Sequence, residues 1–364
     1  MGGGDTAVEI AAWTVVRPSE PLVLEHRRES PGAGEVIVAV AGCGVCHTDL
    51  GFYYEGVPTR HPFPLTLGHE VSGVVVEAGP GAEAWLDRPV VVPAVLPCGD
   101  CPACRAGRGA VCPRQIFPGN DVHGGFASHL RVPARGLCPV PDLSDPDRNP
   151  ERLDLAALAV IADAVSTPYQ AIHRSGLGAG DLAVVVGCGG VGGFAVQIAA
   201  AFDAAVVAVD VDPERLEAMR RHGASLALDA RENDFKSLKK QVRAFASERG
   251  IPEFRWFLFE ASGTAAGQTT AFGLLGSGSY LSIVGFTPQR VELRLSNLMA
   301  FDATVQGNWA CLPEHYPAVL DLVLAGRVAV APFVERRPLA DINETFSQLH
   351  AGPLPRRVIL IPEA

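Results

Sequence analysis

Apolar residues run through this chain in two textures. From about Glu35 to Val140 they come in short bursts broken by Gly and Pro: EVIVAVAG, EVSGVVVEAG, RPVVVPAV and SHLRVPA each read as a strand, so this stretch is predicted to be mostly β. A charged, proline-containing segment, PDLSDPDRNPERLD, follows. LAALAVIADAVSTPYQAIHRSG then carries apolar residues at helical spacing and predicts a helix. Beyond it DLAVVVG, AVVAVDV, WFLFEASG and SYLSIVGF are continuous apolar runs, with helix-like segments between several of them. Strands without polar alternation, separated by helices, indicate a parallel sheet covered on both faces. From about Asn308 the chain adds helix-like EHYPAVLDLVLAG and a closing strand, RRVILIP.

The expected class is therefore α/β, a β-rich domain followed by a doubly wound parallel sheet, and 364 residues suffice for two cores. A net charge of −10 with no compensating basic stripe argues against a nucleic-acid partner. Arg105, Arg108 and Arg114 fall close together but read as a solvated loop. The start MGGGDTAVEI has no basic flank and apolar core, so no signal peptide is expected, and no uncharged apolar stretch of about 18 residues predicts a membrane span. Nine cysteines, an odd number with four in one tight cluster, fit a reducing cytoplasm better than a secreted disulfide scaffold.

That cluster is PCGDCPACRAGRGAVC. Two residues separate each of Cys98, Cys101 and Cys104, and seven precede Cys112, so one short loop can bring four thiolates to a tetrahedral zinc. Disulfide pairing is the alternative. A cage of four thiolates leaves no open position, so such a zinc is structural and the chemistry lies elsewhere.

In VVVGCGGVGGFAVQIAAAF, Gly187, Gly189 and Gly192 form G-x-G-x-x-G between an apolar strand and a helix, the pattern that seats a pyrophosphate on a helix N-terminus. The next strand ends on Asp210, placed to accept from adenosine ribose hydroxyls. A carboxylate there repels a 2′-phosphate and favours NAD over NADP, with Arg215 near enough to complicate the preference. Cys188, inside the loop, reads as a small filler.

A second metal site is suggested by AGCGVCHTDLGFYYEG, with Cys46, His47, Thr48 and Asp49, and by LTLGHEVSG, with His69 and Glu70. Taken alone these are equally well buried core residues. Together with the four-cysteine loop and GCGGVG, in this order and spacing, they resemble the zinc-dependent medium-chain alcohol dehydrogenases over essentially the whole chain. The resemblance implies a GroES-like catalytic domain over 1–165 with its zinc loop at 97–113, a Rossmann domain over 166–307, and a return to the catalytic domain over 308–364.

It also implies roles. Cys46 and His69 match the first two catalytic-zinc ligands, and Asp163 occupies the third position, often a Cys in the family; its alternative reading is a helix cap. Glu70 matches a carboxylate that approaches the metal, and Asp49 a group that orients His69 through its second ring nitrogen. Thr48 matches the hydroxyl that takes the substrate proton, but Gly51 stands where the family's relay histidine would be. His47 and Arg357 are implied to meet cofactor phosphates, and Thr167 and Val191 the nicotinamide. The family often forms dimers or tetramers through the Rossmann sheets.

Finer stretches, GVCHTDLGFYYEGV, PGNDVHGGFASHLRVPARGLCPV and RLSNLMAFDATVQGNWACLPEHYPAVLDLVL among them, are similar to the family's dehydrogenases of hydroxycyclohexenecarbonyl-CoA in anaerobic benzoyl-CoA degradation. They imply oxidation of a secondary cyclic alcohol, carried on a CoA thioester, to a ketone. Phe52, Tyr53, Tyr54, Phe286 and Trp309 are candidate walls for the ring. Another cyclic or aromatic alcohol, or a non-catalytic NAD-binding relative, are the alternatives.

Overall fold

The computed structural model describes residues 7–363; Met1–Thr6, which open the segment read for a targeting signal, lie outside them. The chain divides into two compact units. One holds the residues up to Asp163 with Ala310–Gly326 and the C-terminal segment from Val330; the other holds Ala164–Trp309 and Arg327–Ala329.

The first unit begins with β1 (Val8–Val15), β2 (Val23–Glu29), β3 (Glu35–Gly44), α1 (His47–Tyr54), β4 (Leu65–Thr66), β5 (Glu70–Ala78) and β6 (Pro89–Val92). It continues through α2 (Pro102–Arg105), β7 (His129–Pro133) and β8 (Cys138–Pro139). β1 pairs with β2 and β4 in a small antiparallel sheet. β3 pairs antiparallel with β5 and with β7 and carries the larger sheet. Val36, Val38, Val71, Val75, Val90 and Val92 bury one face of that sheet against Phe126 and Leu130. The β1–β2 hairpin has no periodic signature because VLEHRRE is largely exposed and charged.

The segment 155–176 departs from the single helix that its spacing predicts. Ala156–Ala162 winds as a tight three-residue-per-turn helix, the backbone breaks at Asp163 (φ −142°, ψ −57°), and α3 (Ser166–Ser175) starts afresh. The cause is that Ala157–Ala162 has no polar face: all six residues are buried, and the turn packs against β3, β5 and β6. Tertiary burial overrides the local period.

The second unit alternates strands and helices: β9 (Leu182–Val186), α4 (Gly192–Ala201), β10 (Ala205–Asp210), α5 (Pro213–Arg221), β11 (Leu226–Asp229), α6 (Phe235–Glu248), β12 (Trp256–Glu260), α7 (Ala265–Gly273), β13 (Tyr280–Ile283), α8 (Ser296–Phe301) and β14 (Thr304–Gly307). The strand order is β11-β10-β9-β12-β13-β14, every neighbouring pair parallel. Asp212, Asp234 and Thr264 accept backbone N–H bonds at the starts of α5, α6 and α7, which fixes where those helices begin. The order reverses between β9 and β12, and a crevice at the carboxyl ends of the strands at such a reversal is where an open parallel sheet takes its ligand.

The chain then contributes α9 (Tyr316–Leu324), β15 (Val334–Pro338), α10 (Ile342–Ala351) and β16 (Arg357–Ile361) to the first unit. β16 runs antiparallel to β3, Ile359 opposite Gly44 and Leu360 opposite Cys43, and completes a seven-stranded sheet. The expected α/β class, with a β-rich unit and a doubly wound parallel sheet, is the architecture observed.

Candidate metal centres and dinucleotide site

In the four-cysteine loop, Cys101 Sγ lies 3.4 Å from Cys104 Sγ and 3.7 Å from Cys112 Sγ, and Cys98 Sγ lies 3.9 Å from Cys104 Sγ. A disulfide needs about 2.0 Å, whereas four sulfurs at ~2.3 Å from one zinc sit roughly 3.8 Å apart. The loop is thus shaped as a cage, and all four thiols are unpaired by disulfides. The Cys104 amide donates to Cys101 Sγ at 3.4 Å and pulls that thiol down to about 7, toward the thiolate a metal needs. Arg105 and Arg108 are exposed, and Arg114 pairs with Asp100 at 2.5 Å, so the arginines solvate this loop.

The second cluster grows out of the β3–β5 register. Gly44 lies opposite Glu70, so Cys46, just past β3, and His69, just before β5, emerge at the same edge. The break after Ala162 delivers Asp163 to them: its Oδ2 is 3.7 Å from His69 Nε2 and 3.9 Å from Cys46 Sγ. Ligand atoms of Cys46, His69, Glu70 and Asp163 all fall within 4.8 Å of one another. Thiol, imidazole and carboxylate are zinc donors, and three protein ligands leave room for a fourth, exchangeable one. Asp163 is the residue on which the Ala156–Ala162 turn ends, and α3 starts after Val165 with no side-chain cap.

Asp49 ties this edge together. Its Oδ2 accepts from Cys46 N at 2.9 Å, its Oδ1 from Gly68 N at 3.1 Å, and the same Oδ1 lies 3.4 Å from His69 Nδ1. The last contact is off the hydrogen-bond line, so it acts as a charge contact. Burial alone would lower the His69 pKa; the Asp49 charge, with Asp163 and Cys46, reverses this and holds it well above the usual histidine value. Such a field attracts a cation. Thr48 Oγ1 lies 3.6 Å from Cys46 Sγ, on the first turn of α1.

Glu70 and Arg357 form a buried two-point ion pair. Arg357 Nε donates to Glu70 Oε2 at 2.7 Å and Nη2 donates to Oε1. Burial opposes the guanidinium's charge, but Glu70, with Cys46 and Asp163 behind it, raises its pKa above the ordinary arginine value. A Cβ at Gly44 would come within 2.1 Å of Glu70 Oε2, so glycine there makes room for the pair.

Sequence reasoning overlooked two further contributors. Gly44 is one. Phe117 is the other: its ring meets His69 edge-on at 5.0 Å and Phe52 at 6.3 Å. Proximity to the four-cysteine run was the available signal, because Leu96 and Ile116 bridge across the base of that loop.

Of the proposed ring walls, Phe52 and Tyr53 are buried; the Tyr53 hydroxyl donates to Glu20 O and Tyr54 stacks on His350. Phe286 and Trp309, in the second unit, are largely exposed. Gly51 sits in α1 facing Val57, and His47 is exposed at the start of that helix.

In the second unit, Gly187 follows β9 at φ +86°, and a Cβ there would lie 2.4 Å from Ser262 Cα. A Cβ on Gly192 would fall 1.7 Å from Gly187 O. The loop can therefore be built only from glycine at these two points, and Gly189 is left with open backbone beside Arg215. Asp210 Oδ2 accepts from Cys188 N at 2.5 Å, and its Oδ1 from Val211 N and Asp212 N at 2.7 and 2.9 Å. This carboxylate is locked at the carboxyl end of β10. Arg215 lies 3.6 Å from Asp212. Cys188 is buried and its thiol pKa pushed up, first by burial, consistent with an inert filler. Val191 precedes α4, and Thr167 is buried on the first turn of α3, its carbonyl accepting from Asn308 Nδ2 at 3.2 Å.

The two clusters lead to separable metal losses. Elemental analysis is expected to give two zincs per chain, one of which Cys104→Ala removes with a fall of at least about 5 °C in the thermal midpoint, because metal binding in such a loop is folding free energy. Cys46→Ala is expected to remove the other zinc and leave the midpoint nearly unchanged. Two full zincs in either variant would overturn that site.

Residues 32–142 match the family model of the alcohol dehydrogenase GroES-like domain, and residues 190–325 that of the zinc-binding dehydrogenases. An alcohol dehydrogenase of Geobacillus stearothermophilus is 29% identical over 93% of this chain and 94% of its own. The crystal structure of the alcohol dehydrogenase of Aeropyrum pernix is 30% identical with a TM-score of 0.81, covering 97% of this chain and all (100%) of that one. The cobalt- and zinc-bound thermostable alcohol dehydrogenase of Pyrobaculum aerophilum is 27% identical with a TM-score of 0.81, covering 98% and 100%. With its two candidate zinc sites and a sheet that fits NAD(P), this chain belongs to the zinc-dependent medium-chain alcohol dehydrogenases, oxidoreductases that act on a CH–OH group with NAD(P).

Proposed function

We propose that the chain oxidises a secondary cyclic alcohol to a ketone with NAD+ as hydride acceptor, and that its substrate is 6-hydroxycyclohex-1-ene-1-carbonyl-CoA, the product being the 6-oxo thioester. The convergence of Cys46, His69 and Asp163, drawn from three separate chain segments, carries the dehydrogenase reading. The long stretches quoted above support the CoA ester.

Zinc, when bound, supplies Lewis acidity toward an alcohol or carbonyl oxygen. Cys46, His69 and Asp163 would hold it, Asp49 would keep His69 turned toward it, and a carboxylate in place of a second thiolate would donate less charge to the metal from soft donors. Thr48 is the group placed to take the alcohol's proton. Asp210, locked by three backbone N–H groups, presents a charge that favours ribose hydroxyls over a 2′-phosphate. Gly187, Gly189 and Gly192 receive the pyrophosphate, and we read His47, Thr167, Val191, Arg215 and Arg357 as further cofactor contacts.

The cysteine usage supports a cytoplasmic setting, and among the described residues no helix is long and apolar enough to cross a membrane. A dimer, or a dimer of dimers, fits β14: it is the edge strand of its sheet, and beside it Leu295, Met299 and Val305 are 67%, 79% and 37% exposed.

Formation of NADH from the hydroxycyclohexenecarbonyl-CoA ester, set beside its free acid and simple cyclohexenols, tests the substrate; faster turnover of the free alcohols would replace the CoA ester by another cyclic alcohol. Thr48→Val is expected to lower kcat at least about 100-fold while zinc content and NADH binding persist. Asp210→Ala should weaken NAD+ about tenfold and relax discrimination against NADP+, and an unchanged cofactor ratio would shift that role to Arg215. Sedimentation of Met299→Glu/Val305→Arg is expected to show monomers where the parent chain is dimeric or tetrameric; an unaltered assembly would place the interface elsewhere.

A further inference from the structure

Glu260 ends β12 with its side chain fully buried, and no part of the chemistry above uses it. In the sheet it lies level with Val186 of β9 on one side and Ile283 of β13 on the other, at the reversal of strand order. Its Oε1 accepts from Ser262 N at 2.8 Å and lies 2.5 Å from Ser262 Oγ, while its Oε2 makes no hydrogen bond. Glycines wall it in: a Cβ at Gly285 would be 2.9 Å from Oε2, and one at Gly267 3.1 Å from Oε1. Its own carbonyl accepts from Val284 N and Gly285 N, both at 2.9 Å. Ser262 is in turn the residue against which Gly187 packs. Glu260 therefore joins the turn after β12 to those after β9 and β13, its side chain through Ser262 and its carbonyl through Val284 and Gly285.

We propose that Glu260 is a positioning residue whose carboxyl latches the Ser262–Thr264 turn against Gly187 and so sets the floor of the dinucleotide site. Ser262 N and Ser262 Oγ both donate to Oε1, Thr264 Oγ1 lies 3.0 Å from Ser262 Oγ, and Thr264 N donates to Ser262 Oγ at 3.1 Å, so the carboxyl fixes the turn at both of its ends. Burial pushes this carboxyl upward, and the groups that pull it back, Ser262, Gly263 and Gln268, are dipoles rather than cations.

The inference rests on dinucleotide binding by this sheet, which the parent chain's own NADH fluorescence titration tests; the ratio of variant to parent affinity tests the latch. Glu260→Gln, which keeps the reach and the accepting Oε1, is expected to keep NADH affinity within about threefold. Glu260→Ala should weaken it at least tenfold with two zincs per chain retained. If Glu260→Ala does not fold, Glu260→Asp, which keeps the charge and shortens the reach, carries the same expected loss. The latch is overturned if Glu260→Gln binds as poorly as the shortened variants, or if these bind like the parent.

Discussion

A single buried carboxylate, Asp49, is the interaction on which the catalytic edge of the first unit depends. It accepts one backbone N–H from the Cys46 segment and one from the Gly68 segment, and its charge faces His69. Without it, two loops leaving neighbouring antiparallel strands would have buried N–H donors to satisfy and no reason to hold a thiol and an imidazole at one spacing. Breaking such a charged, buried hydrogen-bond set costs about 1.5–3 kcal/mol per bond, so the ligand geometry and the stability of this edge are the same quantity.

The same edge concentrates negative charge. Asp49, Glu70, Asp163 and the Cys46 thiol crowd around one imidazole, and the guanidinium that pairs with Glu70 comes from β16, at the far end of the chain. This gives the return of the C-terminus a physical purpose. β16 adds a strand to the sheet and carries in the cation that makes a buried glutamate tolerable; removing either partner would leave an uncompensated buried charge, at about 3–5 kcal/mol. The second unit solves a different problem, bringing backbone close to a ligand, and does so by absence: glycines at 187 and 192 where any Cβ would collide, and Asp210 immobilised by the loop it faces.

Local spacing determined a good deal. The four-cysteine loop and G-x-G-x-x-G are each contained within about one turn and its flanks, so residue order alone specifies what comes together, and the continuous apolar strands read directly as a buried parallel sheet. Cys46 and His69 were legible only as a pair of motifs in a familiar order. The segment 155–176 was misread as one helix because the local period carries no information about what the run packs against. What tertiary structure alone decided are contacts between residues far apart that no motif names: Arg357 with Glu70, 287 residues away, and the meeting of the turns after β9, β12 and β13 around Glu260 and Ser262. Such pairings depend on sheet register and on which charges are buried together, and neither leaves a periodic trace in the order of residues.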